Sequence, residues 1–332
     1  MKLYDLIAVL LFVGVIAYSI FGGADFGSGV WDLLAGDSKR GGPLRALIDR
    51  SIGPVWEANH VWLIYVFVFL WTAFPTAFVA IMNTLFIPWL LVGLGIVLRG
   101  AGFAFRKFSA TVAQARTYGA VFAASSVITP FFLGMIAGAI ASGRVPLRGG
   151  NVWTSWTGPT SWVGGVLAVL TCSFLAATFL AADAARTGQP DLADYCGRRA
   201  LRSGIATGAV ALLAVIPLTS DATTLVNRLQ GRGSFPVVVS ALAGGMAIAM
   251  LWKRRWRLAR LAAVAAVAAV VVGWGVGQYP DILVDHATIA SVAGAHATLV
   301  GLVIVFAIAA VTAVPALIWL FVLIQRPETS PH

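Results

Sequence analysis

The sequence predicts an all-α, polytopic membrane protein with nine transmembrane helices. Three observations carry this expectation. Hydrophobic residues make up 59% of the 332 residues, and the mean hydropathy is +0.89. Only 11% of the chain is charged, against roughly 25% in a soluble domain. The apolar runs are long and punctuated by glycine, near the roughly 20 residues that a helix needs to cross a bilayer, unlike the short alternating strands of a membrane barrel. A soluble protein of this length could not cover its surface with so few charges. A cytosolic enzyme, a disordered chain and a secreted disulfide scaffold are excluded.

The spans follow from the stretches that lack Asp, Glu, Lys and Arg. They are 6–24, 58–98, 117–143, 149–182, 203–220, 233–252, 261–280 and 286–325. The start, Met1-Lys2-Leu3-Tyr4-Asp5, has too short a basic region for a secretory signal, so the first span is read over about 3–35. The stretch 58–98 is twice the length of one span. With Pro75 and the polar pair Asn83-Thr84 near its middle, it divides into helices at about 54–80, opening on Pro54, and 83–105. The next span covers about 117–142. Residues 149–160, rich in Trp, Thr, Gly and Asn, read as an interfacial loop before a span over 160–185. Spans at 200–220, 235–252 and 260–280 follow. Residues 286–297, with His286, Thr288, Ser291 and His296, read as an external shoulder leading into the last helix at 298–325. Pro130, Pro217 and Pro315 are expected to kink their helices. With no repeat and no long linker, residues 1–332 form one integral membrane domain, best arranged as two four-helix bundles plus one extra helix.

The loop charges orient these helices. Seventeen of the 23 basic residues fall after the odd-numbered spans and on the C-terminal tail, from Lys39, Arg40, Arg45 and Arg50 to Arg326. Five lie on the opposite side: Lys2, Arg144, Arg148, Arg228 and Arg232. The positive-inside rule then places the N-terminus outside and the C-terminus in the cytoplasm, with Trp153, Trp156 and Trp162 in an outer aromatic belt. The net charge of +10 is accordingly a topology signal, and nucleic acid is not expected as a partner. Cys172 and Cys196 form no metal or redox motif. No C-x-x-C-H stretch exists to attach a haem covalently, and four histidines are few for a chain holding several haems.

A few charges remain within spans. Asp25 follows the first apolar run and lies 14 residues before Lys39, roughly 20 Å along a helix. A carboxylate at that depth must be neutral, paired or hydrated. It reads as a proton-relay group or as a carboxylate paired to a neighbouring arginine to fix packing. Glu57 and His60 are three apart, so they share a helix face, with Trp56 and Asn59 on the adjoining stripe. A carboxylate and an imidazole so placed could pass protons. Alternatively, Glu57 only complements the helix N-terminus, and His60 is a packed core histidine or a haem ligand. Arg99 lies inside the cytoplasmic edge of the third span, where an arginine snorkels or pairs. An Asp25/Glu57/Arg99 cluster is therefore expected. Asp183, Asp221, Asp281 and Asp285 fall at predicted helix ends and are read as interfacial.

Three segments resemble subunit II of cytochrome bd-type quinol oxidases. The family pattern looks like G-x-D-x-G, then P-x-W-D-G-N-x-V-W-L-I, then R-x-x-G-F-x-x-R. This chain has Gly23-Ala24-Asp25-Phe26-Gly27, then Pro54-Val55-Trp56-Glu57-Ala58-Asn59-His60-Val61-Trp62-Leu63-Ile64, then Arg99-Gly100-Ala101-Gly102-Phe103-Ala104-Phe105-Arg106. The likeness is strongest over 21–107, and the three blocks in this order are specific together. Glu57 stands for the usual Asp, Ala58 for Gly, His60 for a non-basic residue and Ala104 for a frequent acid.

The resemblance implies a haem-free subunit that binds no cofactor or metal and forms a pseudo-symmetric heterodimer with a homologous subunit I carrying haem b and haem d. The complex would oxidise quinol and reduce oxygen to water with cytoplasmic protons, building proton-motive force without pumping. The resemblance places Asp25 and Glu57 on a proton pathway, Trp56 beside it, and Arg99 as a buried charge partner. His60 is a candidate to stand in for the acid absent at Ala104, and Asn59 lines the same path. A bound quinone or lipid, a small single-span accessory subunit, and a bacterial or archaeal plasma membrane fit this picture. Buried charges near broken helices also suit a secondary transporter acting without a haem partner.

Overall fold

The computed structural model describes residues 2–53 and 55–325. Pro54, Arg326, His332 and the side chain of Lys39 lie outside the described residues. Among the described residues the elements are helices joined by connecting segments, with one two-stranded hairpin. Its elements are α1 (Leu3–Leu33), α2 (Ser38–Ile52), α3 (Trp56–Ala73), α4 (Pro75–Thr84), α5 (Phe86–Lys107), α6 (Val112–Ala141), α7 (Pro159–Arg186) and α8 (Pro190–Leu213). There follow α9 (Val215–Asp221), α10 (Thr223–Gln230), α11 (Ser234–Trp252), α12 (Trp256–Gln278), β1 (Asp281–Leu283), β2 (Ala287–Thr288) and α13 (His296–Gln325).

Among the described residues, eight helical stretches are long and apolar enough to cross a membrane: Leu3–Leu33, Phe86–Lys107, Val112–Ala141, Pro159–Arg186, Pro190–Asp221, Ser234–Trp252, Trp256–Gln278 and His296–Leu320. Arg40–Ser51 and Trp56–Ala73 form a pair bent by 56°, which makes up to nine. The protein is a multi-pass membrane protein.

Three expectations need correction. The predicted helix at 54–80 is two helices, because the backbone leaves the helical region at Phe74 and Pro75 starts α4 at its first turn. The first connection, read as a basic loop, is the helix α2. Its apolar residues Leu44, Leu47 and Ile48 are buried against α1 and α7, while its charges face outward or pair with α1. The shoulder before the last span supplies β2 of an antiparallel hairpin whose β1 precedes it, and α13 begins within the shoulder at His296. Pro130 and Pro315 lie inside helices that continue through them, and Pro217 sits in the first turn of α9.

Helix α1 is the shared wall of two apolar cores. Its C-terminal half, through Ile20 and Trp31, joins α2, α7, α8, α11 and α12. Its N-terminal half, through Ile7 and Leu11, joins α3, α4, α6, the hairpin and α13. The close fit on α7 depends on Gly27, where a Cβ would lie 1.8 Å from the Cys172 carbonyl oxygen. Lipid chains are as apolar as leucine, so such small-residue contacts do much of the holding between helices.

Ion pairs mark the two ends. At one end Arg144 pairs with Asp221, which also accepts from the Thr160 amide at 3.0 Å, and Arg228 pairs with Asp281 at 2.8 Å. Asp285 accepts from the Thr224 hydroxyl at 3.0 Å. At the other end Arg254 pairs with Asp194 at 3.0 Å and Arg260 with Asp183 at 3.4 Å. The interfacial reading of these aspartates is thereby given partners.

Candidate functional site: a two-rung charge ladder

Asp25 and Asp32 are seven residues apart on α1, and Arg99 and Arg106 are seven apart on α5. Seven residues are close to two turns, about 10 Å, so each pair shares a helix face. Both helices pack on α6, and the two arginines reach across to the two aspartates so that the residues meet in register.

The deep rung is Asp25 with Arg99. Both residues are 1% exposed. Arg99 Nη2 lies 3.2 Å from Asp25 Oδ1 and donates to the Asp25 carbonyl at 3.1 Å, while Nη1 donates to Oδ2 at 3.4 Å. Arg99 Nε donates to the Ser126 hydroxyl of α6 at 3.1 Å. The guanidinium stands 5.0 Å from the Phe26 ring centre and 5.1 Å from that of Phe122. Asn59 of α3, 5% exposed, lies beside the Asp25 carboxyl. Removing two charges from water costs several kcal/mol per ion, and only mutual attraction with full hydrogen bonding offsets it. Helices α1, α3, α5 and α6 all contribute to that compensation.

The outer rung is Asp32 with Arg106. Asp32 is 4% exposed, pairs with Arg106, and accepts from Arg45 Nε of α2 at 2.6 Å. Arg106 also reaches Asp49 of α2 at 2.6 Å. The outer rung is therefore a four-charge network that ties α2 to α1 and α5.

His60 lies beside the deep rung. Its ring centre is 5.7 Å from Phe26, 6.1 Å from Tyr18 and 6.1 Å from Trp56. Trp56 also packs on α5, 5.8 Å from Phe103 and over Gly100. Four buried polar atoms here find no hydrogen-bond partner among the described residues: Asp25 Oδ1, both ring nitrogens of His60 and the Tyr18 hydroxyl. Buried polar groups are normally satisfied, and water does this where protein does not.

The structure joins Asp25, Arg99 and Asn59 and places Trp56 and His60 next to them. It does not bring in Glu57. That side chain is exposed on the first turn of α3 and makes no ion pair among the described residues. The three-residue cluster is thus a pair, because the face of α3 that meets Asp25 carries Asn59. Ala104 is also exposed on α5. Asp32, Tyr18 and Ser126 are the residues that reading the sequence missed. The heptad spacing of Tyr18, Asp25 and Asp32 was the available signal for two of them; Ser126 had none. Among the described residues, no three His, Cys, Asp or Glu side chains are grouped to hold a metal.

A family model for cytochrome bd terminal oxidase subunit II matches residues 3–324. The chain is similar to the cytochrome bd ubiquinol oxidase subunit 2 of Bacillus subtilis (strain 168), 28% identical over 174 residues, which covers 52% of this chain and 51% of that protein. The aligned region thus spans about half the length of that relative. It is also similar to the putative cytochrome bd menaquinol oxidase subunit II of the same organism, 23% identical over 256 residues, covering 73% of this chain and 71% of that one. In three dimensions it matches a chain of the bd oxidase from Geobacillus thermodenitrificans with a TM-score of 0.80 and 23% identity, over 97% of this chain and 98% of that one. The chain belongs to the cytochrome bd terminal oxidase subunit II family.

Proposed function

We propose that this chain is the haem-free subunit II of a quinol:oxygen oxidoreductase, forming a pseudo-symmetric heterodimer with a haem-bearing subunit I in a prokaryotic plasma membrane. The haem b and haem d of that partner supply the redox chemistry that reduces oxygen to water. In this chain, Asp25 and His60 line a cytoplasmic proton path with Asn59 and Trp56 beside it, Arg99 holds the Asp25 charge, and Glu57 is its surface entry. Proton-motive force arises because the protons consumed come from one side only.

The observation that carries this reading is the group of buried polar atoms around the Asp25–Arg99 pair, in Asp25, His60 and Tyr18, that accept or donate no hydrogen bond among the described residues. They are the kind of groups that water bridges, and a bridged carboxylate and imidazole can hand a proton along. The exposure of Glu57 suits an entry group better than a member of the buried cluster. The orientation rests on the basic end of the bundle, where Arg45, Arg106, Arg254 and Arg260 gather. The haem-free reading is supported at His60, whose ring is flanked by Tyr18, Phe26 and Trp56.

The test is a visible absorption spectrum of the complex co-purified on this chain, followed by oxygen consumption of Glu57→Gln. Haem bands are expected, with markedly slower turnover in the variant. A colourless preparation overturns the oxidase reading; near-normal turnover of the variant overturns the entry role of Glu57.

A further inference from the structure

At the basic end of the bundle, the end of α7 and the start of α12 enclose an open cavity of about 340 Å³. Its polar lining is Arg186, Arg255 and Arg257, and its apolar lining includes Trp256 and Leu258. No acidic residue lines it. The α11–α12 turn carries five basic residues between 253 and 260. Two of them are neutralised, Arg254 by Asp194 and Arg260 by Asp183. Arg255 and Arg257 are exposed and make no ion pair among the described residues.

The helix end adds to this charge. Arg255 caps α12 without a side-chain hydrogen bond to its first turn, and that turn holds no acid. The free backbone N–H groups and the positive helix end therefore favour an anion in the same place. Below the arginines the surface becomes apolar at once. Leu258, which lines the cleft, is 46% exposed, and Leu261, three residues further along α12, is 66% exposed, both within the span Trp256–Gln278. Trp256 anchors the turn, packed where a Cβ on Gly197 of α8 would meet its ring at 2.4 Å. A basic cleft directly above a greasy helix face matches a headgroup with a phosphate and two acyl chains, and does not match a small free anion.

We propose that this cleft binds the headgroup of an anionic phospholipid from the leaflet at the basic end, with the phosphate held by Arg255 and Arg257 and the acyl chains laid along Leu258 and Leu261. Basic pockets between membrane helices at the cytoplasmic surface recognise anionic lipid in this way.

The test uses the intact complex in detergent, titrated with dioleoyl phosphatidylglycerol or dioleoyl phosphatidylcholine and read by native mass spectrometry. The wild-type complex is expected to retain phosphatidylglycerol selectively. Arg255→Gln with Arg257→Gln is expected to weaken that retention on the order of tenfold, while Arg255→Lys with Arg257→Lys keeps most of it. Arg116→Gln, an exposed basic position at the start of α6, is the control for general charge. Equal retention in wild type and the Gln pair overturns the proposal, as does an equal loss in Arg116→Gln. Displacement of the lipid by millimolar glycerol phosphate would show a site for a free phosphate anion and would also overturn it.

Discussion

Arg99 and Arg106 address one aromatic ring: their guanidinium carbons stand 5.1 Å and 5.3 Å from the centre of Phe122 on α6. The ring carries a negative face, so it partly neutralises both cations. It also links the deep rung of the ladder to the outer one without a water-exposed charge between them. The ladder therefore behaves as one unit held on α1, α5 and α6.

Arg99→Leu leaves the Asp25 carboxylate buried without its cation. Breaking a buried pair from one side costs about 3–5 kcal/mol. Loss of folded complex on fluorescence-detected gel filtration is expected. The double change Asp25→Leu with Arg99→Leu removes both charges and should recover much of the folded fraction. A single variant as stable as wild type would show that the pair does not hold these helices.

Arg106→Gln should destabilise more than Arg45→Gln. Arg106 serves both Asp32 and Asp49 and is 15% exposed, whereas Arg45 serves Asp32 alone among carboxylates and is 30% exposed. The expected difference is about 1–2 kcal/mol, a typical size for breaking a charge network. Thermal midpoints of the two variants, compared at low and high salt, check it. The Arg45 effect should shrink further with salt because that pair is the wetter one.

Gly27→Ala places a methyl group where the Cys172 carbonyl already is. Neither backbone can yield without separating α1 from α7, so a loss of about 3 kcal/mol, the upper end for overpacking, is expected. Gly93→Ala on α5 meets nothing within 4 Å and should be neutral. The comparison separates close packing from any general intolerance of alanine.

Tyr18→Phe keeps the ring contacts with Phe26 and His60 at 6.2 and 6.1 Å and removes only a hydroxyl without a described partner. Unchanged thermal stability with slower oxygen consumption is expected if this hydroxyl sits on the proton path. A stability loss with normal turnover would instead mark it as structural.

Local properties carried the sequence reading. Hydropathy is a sum over neighbouring residues, so the membrane class, most spans and the burial of Asp25 and Arg99 were legible directly. The three short blocks between 21 and 107 were enough to point to the family. The amphipathic spacing of Leu44, Leu47 and Ile48 also marked α2, but the charges around it hid that pattern.

What only the tertiary structure decided is which charge meets which. Asp25 and Arg99 are 74 residues apart, and so are Asp32 and Arg106. Nothing local couples such positions; the packing of α1 on α6, and of α6 on α5, sets the register. The same packing turned Asn59 inward and Glu57 outward on α3, because residues two apart on a helix do not share a face. The sequence by itself thus marked Asp25 and Arg99 as charges that must be compensated in the membrane, since that cost depends on the residue and its depth. The fold chose the partners, since an ion pair needs two side chains within a few ångströms and only the helix contacts provide that.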